Sequence, residues 1–277
     1  MRYGFVLPFC QPVQVAAAAA LAEDAGWDGV YVWEGLYGWD AWVSLAAAAS
    51  RTDRIRLGTM LTPLSRRKAW ELAGQALSVD HLSGGRLTLS VGLGAVETGF
   101  AAFGEETDRK VRAELLDEGL EVVTGLWAGQ PFAYEGKHYT LAPNDFMAPP
   151  PPVQRPRIPI WVVGAWPRPK SMARVLRYDG ILPNVFGPDG KPTDAGPEQV
   201  REIAAYVAEH RPAGAGPFDI VVEGQTPAGD QRAAAGQVAP WREAGATWWI
   251  EGLWPAQGQP DEVEQVSARL RAGPPRA

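Results

Sequence analysis

The sequence predicts an α/β fold, a (β/α)8 TIM barrel with an insertion between strands 4 and 5, in which residues 1–277 form one domain. Three observations support this prediction. Short β-rich runs alternate with longer helical patterns along the chain, as in parallel strands joined by crossover helices. Eight such strands can be counted, and 277 residues is a usual length for this barrel. No G-x-G-x-x-G fingerprint follows the first strand, where a doubly wound nucleotide-binding sheet carries one.

The eight predicted strands are rich in β-branched and aromatic residues and are bounded by turn residues. They cover residues 3–7, 29–33, 55–61, 87–91, 158–163, 180–183, 218–223 and 247–251. The helical segments between them repeat apolar residues at spacings of three and four, for example at Leu72, Ala73 and Ala76. Each helix therefore presents an apolar stripe to the sheet.

One segment, at about residues 129–157, interrupts the alternation. It contains PFAYEGKHYTLAPNDFMAPPPPVQRP, which is too long and too rich in proline for a plain barrel turn. The four prolines at positions 149–152 favour an extended path that leads into the fifth strand without a helix. We expect this insertion to cross the barrel mouth.

Composition argues against several classes of partner. The chain has 32 acidic and 26 basic residues, a net charge of −6, whereas nucleic-acid binding needs clustered excess positive charge. Cys10 is the single cysteine, so no internal disulfide is expected, as in a reducing compartment. The first residues do not resemble a secretory signal, and no apolar run reaches the ~20 residues of a membrane span. We expect a cytoplasmic protein with no membrane partner.

Metal-dependent and Schiff-base chemistry find little support in the sequence. The three histidines are not arranged as H-x-H or H-E-x-x-H, so no metal site is predicted. A Schiff-base aldolase needs a lysine at a strand end, and only Lys170 lies near one. Since neither a metal site nor a Schiff-base lysine is predicted, the simplest hypothesis for an active site is an organic cofactor that brings its own reactivity. A barrel lyase that uses Glu34 is a further alternative.

Active sites of such barrels lie at the carboxyl ends of the strands, which selects a few side chains. Glu34 follows the second strand and is the candidate catalytic base or cofactor partner, although a structural glutamate would occupy the same position. Phe9 and Cys10 after the first strand and Trp254 after the eighth are candidates for the substrate pocket.

Two segments could hold a cofactor. After the fifth strand, GAWPRPK offers free N–H groups at a helix start and the charges of Arg168 and Lys170, which favour a phosphate. An ordinary helix start with solvated charges would look the same. Gly92 and Gly94 end the fourth strand and permit close approach of a flat ring, although a turn also explains them. The broad face of Trp166 could hold an aromatic ring.

Motifs along almost the whole chain resemble, in order, those of the luciferase-like flavin monooxygenase family. They are AEDAGWDGVYVWE, RTDRIRLGTMLTPLSRR, DHLSGGR, GLG, RAELLDEGLEVVTGLW, YEGKHYTL and PIWVVGAWPRPKSMARVLRYDG. The resemblance implies a (β/α)8 barrel that binds FMN, or the related 5-deazaflavin coenzyme F420, at its carboxyl-terminal mouth. It also implies that Gly164 and Ala165 meet the cofactor phosphate, and that the Met60–Leu61 junction corresponds to a non-proline cis peptide behind the ring in some relatives.

By the same resemblance, the first functional hypothesis is a monooxygenase that uses reduced FMN and oxygen on a small organic substrate. A separate reductase would supply the reduced cofactor, and the protein would be a homodimer. The alternatives are an F420-dependent hydride-transfer oxidoreductase and a non-catalytic flavin-binding relative. The acidic tail of F420 would favour basic residues such as Arg66, Arg67 and Lys68 near the mouth.

The sequence departs from the family pattern at two places. Many relatives have histidine after the acidic residue that follows the second strand, whereas Gly35 follows Glu34 here. Ala95 stands where many relatives have a polar residue. The usual candidate proton donors are therefore missing.

Overall fold

Eight parallel strands close into a barrel in the computed structural model, which describes residues 1–9, 11–187, 189–193 and 195–276. The strands are β1 (Arg2–Leu7), β2 (Gly29–Val32), β3 (Arg56–Thr59), β4 (Leu87–Gly92), β5 (Ile160–Trp166), β6 (Gly180–Phe186), β7 (Asp219–Gly224) and β8 (Trp248–Gly252). Each strand pairs in parallel with the next, and β8 pairs with β1, where Tyr3 lies opposite Trp249. The predicted fold class is confirmed.

Eight α-helices alternate with these strands in the described part of the chain. They are α1 (Pro12–Asp24), α2 (Ala41–Ala49), α3 (Ala69–Leu82), α4 (Arg109–Ala128), α5 (Pro169–Val175), α6 (Pro197–His210), α7 (Gln231–Glu243) and α8 (Glu262–Arg271). The side chains of Asp40, Asp108 and Asp230 cap α2, α4 and α7 by accepting backbone N–H bonds. None of the described helices combines the length and apolar character needed to cross a lipid bilayer.

Alternation along the strands divides the core into two regions. Tyr31, Trp161 and Trp248 face the barrel interior, where Tyr31 lies 5.4 Å from Trp161 and 6.0 Å from Trp248 between ring centres. Residues at the alternate strand positions, such as Phe5 and Val30, face the helices and belong to the larger core. The interior aromatic cluster fills the middle of the barrel, so room for a ligand remains toward the carboxyl-terminal ends.

The insertion lies outside the barrel, so the predicted path across the mouth is wrong. Its antiparallel ribbon, Tyr134–Glu135 paired with Thr140–Leu141, packs on α4, where Glu118 accepts the N–H groups of His138 and Tyr139. Farther along, the N–H groups of Val153 and Gln154 bind Asp80 at the end of α3. The physical reason is that β5, like every parallel barrel strand, begins at the amino-terminal end. Because α4 starts at the mouth, it ends at that same amino-terminal side, and the chain can enter β5 without crossing the mouth.

The DHLSGGR motif lies at this amino-terminal end and has a structural role. Asp80 holds the insertion, as described above. Arg86 donates to the carbonyl oxygens of Thr52 at 2.7 Å and Ile55 at 2.9 Å, and so fixes the loop before β3. The two residues flank the same turn and use separate partners.

Candidate functional site

Two cavities open at the carboxyl-terminal end of the barrel. The first, of about 1000 Å³, lies beside the ends of β2 to β6. Leu61, Pro63, Leu93 and Val163 contribute apolar wall, and the starts of α4 and α5 contribute charged wall. The second, of about 350 Å³, lies between the ends of β6 and β7. The first cavity has the size of pockets that enclose cofactors and drug-sized ligands.

The first cavity brings together several residues predicted from the sequence. Those that line it are Glu34, Leu61, Gly94, Ala165, Arg168 and Lys170. Met60 lines the second cavity instead. The Met60–Leu61 peptide bond is cis, which confirms that expectation. Because adjacent residues line the two cavities, the cavities approach each other at this peptide.

Two predicted glycines serve packing beside the first cavity. A Cβ on Gly92 would lie 2.9 Å from Val163 and 3.1 Å from Leu61, which both line the cavity, so Gly92 lets its apolar wall close. A Cβ on Gly164 would lie 2.5 Å from Ile181 on the neighbouring strand β6. Gly164 therefore permits strand packing, and a contact of either glycine with a cofactor stays a prediction.

The predicted aromatic residues lie in three different environments. The Trp166 indole donates to Glu202 at 3.2 Å and packs edge-on against Tyr206, so it is turned toward α6. Phe9 is buried in the larger core. Trp254 is exposed at the mouth near the second cavity, where its indole binds Glu223. Cys10 lies outside the described residues, and the assignment of Phe9, Cys10 and Trp254 to a substrate pocket stays a prediction.

Glu34 is held by four side chains through both of its carboxylate oxygens. Oε1 accepts from Arg66 at 3.1 Å and Arg67 at 2.5 Å, and Oε2 accepts from Thr62 at 2.9 Å and the Trp42 indole at 3.3 Å. Arg66 also donates to the Gly35 carbonyl. Since two donors occupy each oxygen, these contacts favour the positioning alternative over a catalytic base. The same contacts neutralise Arg66 and Arg67. The sequence suggested these two arginines as partners of the acidic tail of F420.

Five cations at the starts of α4 and α5 line the first cavity without an ion-pair partner among the described carboxylates. They are Arg109, Lys110, Arg112, Arg168 and Lys170. The guanidinium groups of Arg109 and Arg168 lie over the Phe186 ring, at 5.9 and 5.4 Å from its centre. In a chain with a net charge of −6, this cluster concentrates positive charge at one cavity.

Arg112 is the buried member of this cluster, with only 6% of its surface exposed. Its Nη1 donates to the carbonyl oxygens of Leu93 at 2.8 Å and Gly94 at 3.1 Å, while its buried Nε has no partner in the described part of the chain. Burial lowers the pKa of this guanidinium, and the nearby Arg109 lowers it further. A buried cation without a carboxylate is costly unless an anion approaches it.

Sequence reasoning missed the cations of α4 and the carboxylate of Glu223. The α4 residues come well after β4 in sequence, but Asp108 starts the helix so that its first turn faces the mouth. The capping residue Asp108 could have indicated from the sequence where α4 starts. Glu223 lines the second cavity, and its signal was its alternation with the inward-facing Val221 on β7.

Comparison with known proteins gives consistent matches. The profile of the luciferase-like monooxygenase family matches residues 1–273. A putative coenzyme F420-dependent oxidoreductase of Mycobacterium tuberculosis is 32% identical over 200 residues, which are 68% of this chain and 56% of that relative. The match thus spans little more than half of that relative's length. An uncharacterized protein of Mycobacterium bovis is 32% identical over 202 residues, 64% of this chain and 70% of that relative.

Solved structures share the fold at lower identity. The monooxygenase RslO1 from Streptomyces bottropensis is 22% identical with a TM-score of 0.75, over 98% of this chain and 97% of that one. The coenzyme F420-dependent tetrahydromethanopterin reductase from Methanopyrus kandleri is 17% identical with a TM-score of 0.74, over 98% of both chains. With the family profile covering nearly all residues, the chain belongs to the luciferase-like monooxygenase family, a family of oxidoreductases.

Proposed function

We propose that this protein is an F420-dependent oxidoreductase that transfers a hydride between the coenzyme and a small organic substrate. The observation that carries the proposal is the set of five cations around the first cavity that form no ion pair with a described carboxylate. A single phosphate, as in FMN, needs a compact anion site, whereas the phosphate and acidic tail of F420 need charge spread over a longer path. Arg109 and Lys110 on α4 and Arg168 and Lys170 on α5 supply that spread. This distribution supports our choice of F420 for the proposal, whereas FMN was the first hypothesis from the sequence.

The residues at the first cavity fit such a cofactor. Leu61, Leu93 and Val163 provide apolar wall for a flat ring, and the cavity volume of about 1000 Å³ is ample. The Nε of Arg112, which has no partner among the described residues, offers a buried donor to an anionic group. A bound deazaflavin would supply hydride transfer and would react poorly with oxygen.

Glu34 acts in this proposal as a positioning residue. Its carboxylate holds Arg66 and Arg67, and Arg66 in turn binds the carbonyl oxygens of Glu34 and Gly35. These bonds fix the loop after β2, from which Trp33 and Leu36 line the first cavity. The carboxylate thus shapes the cavity wall without reaching into it as a free base.

A reduced-FMN monooxygenase is the second candidate. Arg168 and Lys170 lie within three positions of each other beside Ser171, whose hydroxyl oxygen accepts the Ala165 N–H at 2.9 Å. This compact group suits a single phosphate at a helix start. The two candidates differ in how much of the cationic cluster they need, because only the longer anion of F420 would use Arg109 and Lys110.

A binding titration separates the candidates. The protein is mixed with F420 and with FMN, each oxidised and reduced, and the ring absorption is followed. We expect tighter binding of F420, and we expect Lys110→Ala to weaken it about threefold, or roughly 0.7 kcal/mol, as an exposed ion pair would. FMN binding should not change in this variant. The control Arg51→Ala removes an exposed cation away from both cavities and should change neither affinity.

Each other outcome of the titration has a defined meaning. Tighter FMN binding, with oxygen consumption by the reduced form, would favour the monooxygenase. Binding of either cofactor with no turnover of any substrate tested would favour a non-catalytic relative. Failure of both cofactors to bind below about 1 mM, which corresponds to about 4 kcal/mol, would overturn every cofactor-based proposal.

A further inference from the structure

The second cavity exists because β6 and β7 separate toward the mouth. Their pairing ends at Ile220 with Ile181, whereas β5 and β6 stay paired as far as Val185. Pro183 lies just beyond the last pair of β6 and β7 and has no N–H for a ladder bond. The gap leaves a cavity of about 350 Å³ in the barrel wall.

Residues from both sides of the barrel wall line this cavity. Leu182 and Val221 belong to the cluster inside the barrel, whereas Val222 belongs to the larger core beneath the helices and Trp241 lies on α7. Ala195, which is half-buried in the loop before α6, also contributes to the wall. The cavity is therefore an apolar slot between two strands, with room for the body of a small ligand.

Glu223 is the only titratable side chain among the described residues that line the slot. It lies one position before the end of β7 and faces inward, as Val221 does two residues earlier. On β8, a Cβ at Gly252 would lie 2.8 Å from Glu223 Oε1 and 2.9 Å from the indole nitrogen of Trp254. The absence of a side chain at Gly252 thus makes room for the hydrogen bond that Trp254 donates to Glu223.

The carboxylate of Glu223 has an open coordination. Its Oε1 accepts from the Trp254 indole, and its Oε2 has no hydrogen-bond partner in the ranges that the structure describes. No arginine, lysine or histidine there forms an ion pair with it. The side chain reaches solvent at the rim, but desolvation raises its pKa above the usual 4.5, and the Trp254 bond opposes the rise. A carboxylate that has lost water without gaining a counter-charge is stabilised when a cation arrives.

We infer that the second cavity is a binding site for a small organic cation, a primary ammonium compound with a compact apolar body. An ionised carboxylate accepts hydrogen bonds and donates none, so its ligand must supply the donors. An ammonium group supplies three donors together with the opposite charge. The apolar walls suit the body of such a ligand, and the Trp241 indole adds aromatic surface of the kind that often borders bound ammonium groups.

The two cavities at the mouth differ in charge, which directs a cation to the second. Arginine and lysine side chains of α4 and α5 surround the first cavity and repel an ammonium group, whereas the second offers only the carboxylate of Glu223 among its described lining residues. No described residue lines both cavities. The ammonium site is therefore independent of the proposed cofactor, and its ligand takes no part in hydride transfer.

Calorimetric titration of the cofactor-free protein with cyclohexylamine tests this site. At about pH 8 the amine is charged and a carboxyl group is ionised. We expect one saturable site that binds cyclohexylamine at least about tenfold more tightly than cyclohexanol, which has the same body without the charge.

Three variants locate the site. Glu223→Gln should weaken amine binding about tenfold and leave the weak binding of cyclohexanol unchanged, because only the charge is removed. Ala195→Phe narrows the slot without altering its charge and should remove binding of both compounds. The control Glu264→Gln removes an exposed negative charge on α8 and should change neither affinity, which excludes general attraction of the amine to a chain of net charge −6. Thermal unfolding checks that each variant is folded.

Four results would overturn the ammonium site. The first is the absence of saturable amine binding up to about 10 mM in wild type. The second is equal affinity for cyclohexanol and cyclohexylamine, since the site would then recognise hydrogen bonding and not charge. The third is unchanged amine affinity in folded Glu223→Gln, and the fourth is unchanged affinity in folded Ala195→Phe, which would place the amine outside the slot. Because no cofactor is added, failure of F420 to bind in the separate titration would leave these results unaffected.

Discussion

Charged groups at the barrel mouth fall into two sets that differ in their partners. Glu34 and Glu251 both lie at the ends of barrel strands and are held by a threonine, a tryptophan indole and arginine. Among the described residues, Glu223 accepts a hydrogen bond only from an indole, and the buried Arg112 donates only to backbone carbonyl oxygens. The first set forms ion pairs inside the protein, whereas the second set forms no ion pair with the described residues.

This difference separates structural charges from charges available to a ligand. A buried charge that is paired inside the protein stabilises a local arrangement, and removal of its partner leaves an uncompensated charge. A charge without an internal partner does not stabilise the fold, costs free energy when it is buried, and gains its interaction when a ligand arrives. Paired charges should therefore matter for stability, and unpaired charges should matter for binding.

The largest effect is expected at Glu251. Its fully buried carboxylate accepts from Arg269 Nε at 3.2 Å and from the Thr226 N–H and hydroxyl at 2.7 and 3.0 Å. Glu251→Gln leaves Arg269 buried without its counter-charge, so we expect a loss of about 3–5 kcal/mol in the free energy of unfolding. Urea denaturation measures it, with Glu264→Gln on the exposed side of α8 as the control. A loss no larger than that of the control would contradict the comparison.

Glu34 should give a smaller loss, because its ion pairs lie closer to solvent. The exposed fractions are 9% for the Arg66 side chain and 17% for that of Arg67. Glu34→Gln should cost about 2–3 kcal/mol, as expected when a partner of charged donors is removed. The exposed Glu243→Gln serves as the control in the same urea titrations. A stable Glu34→Gln protein that has lost activity would instead support the catalytic role predicted from the sequence.

Arg112 should show the opposite balance of stability and binding. Arg112→Met removes a buried charge that forms no ion pair with a described residue, so the free energy of unfolding should stay equal or rise. F420 affinity should fall about tenfold, or about 1.4 kcal/mol, because a charge-assisted bond to the cofactor is lost. Denaturation and the F420 absorption titration measure the two effects, with Arg51→Met as the control. A destabilised variant with unchanged affinity would place Arg112 in the paired set.

The sequence was sufficient for the fold because its signals are local. Apolar spacing, helix caps and strand runs each predict one helix or strand. A chain with eight successive strand–helix units can adopt few folds. The insertion's path was missed because it depends on where β5 begins. The role of each carboxylate was harder to predict. The arginines that donate to the Glu34 carboxylate come more than thirty positions later in the chain. Neither those contacts nor the open coordination of Glu223 is visible in a linear pattern.

Glu223 should give the smallest effect on stability, and its dependence on pH tests the comparison. Its pKa in the folded state is raised by desolvation above the usual 4.5, so the folded protein holds this proton more tightly than the unfolded chain. Wild type should therefore lose stability relative to Glu223→Gln as pH rises from about 4.5 through the raised pKa, and the two should converge below 4.5. Because the side chain is exposed, the difference at neutral pH should stay below about 0.5 kcal/mol. Urea titrations across this pH range measure it, and a wild type that gains stability with rising pH would reveal a stabilising cation and assign Glu223 to the paired charges.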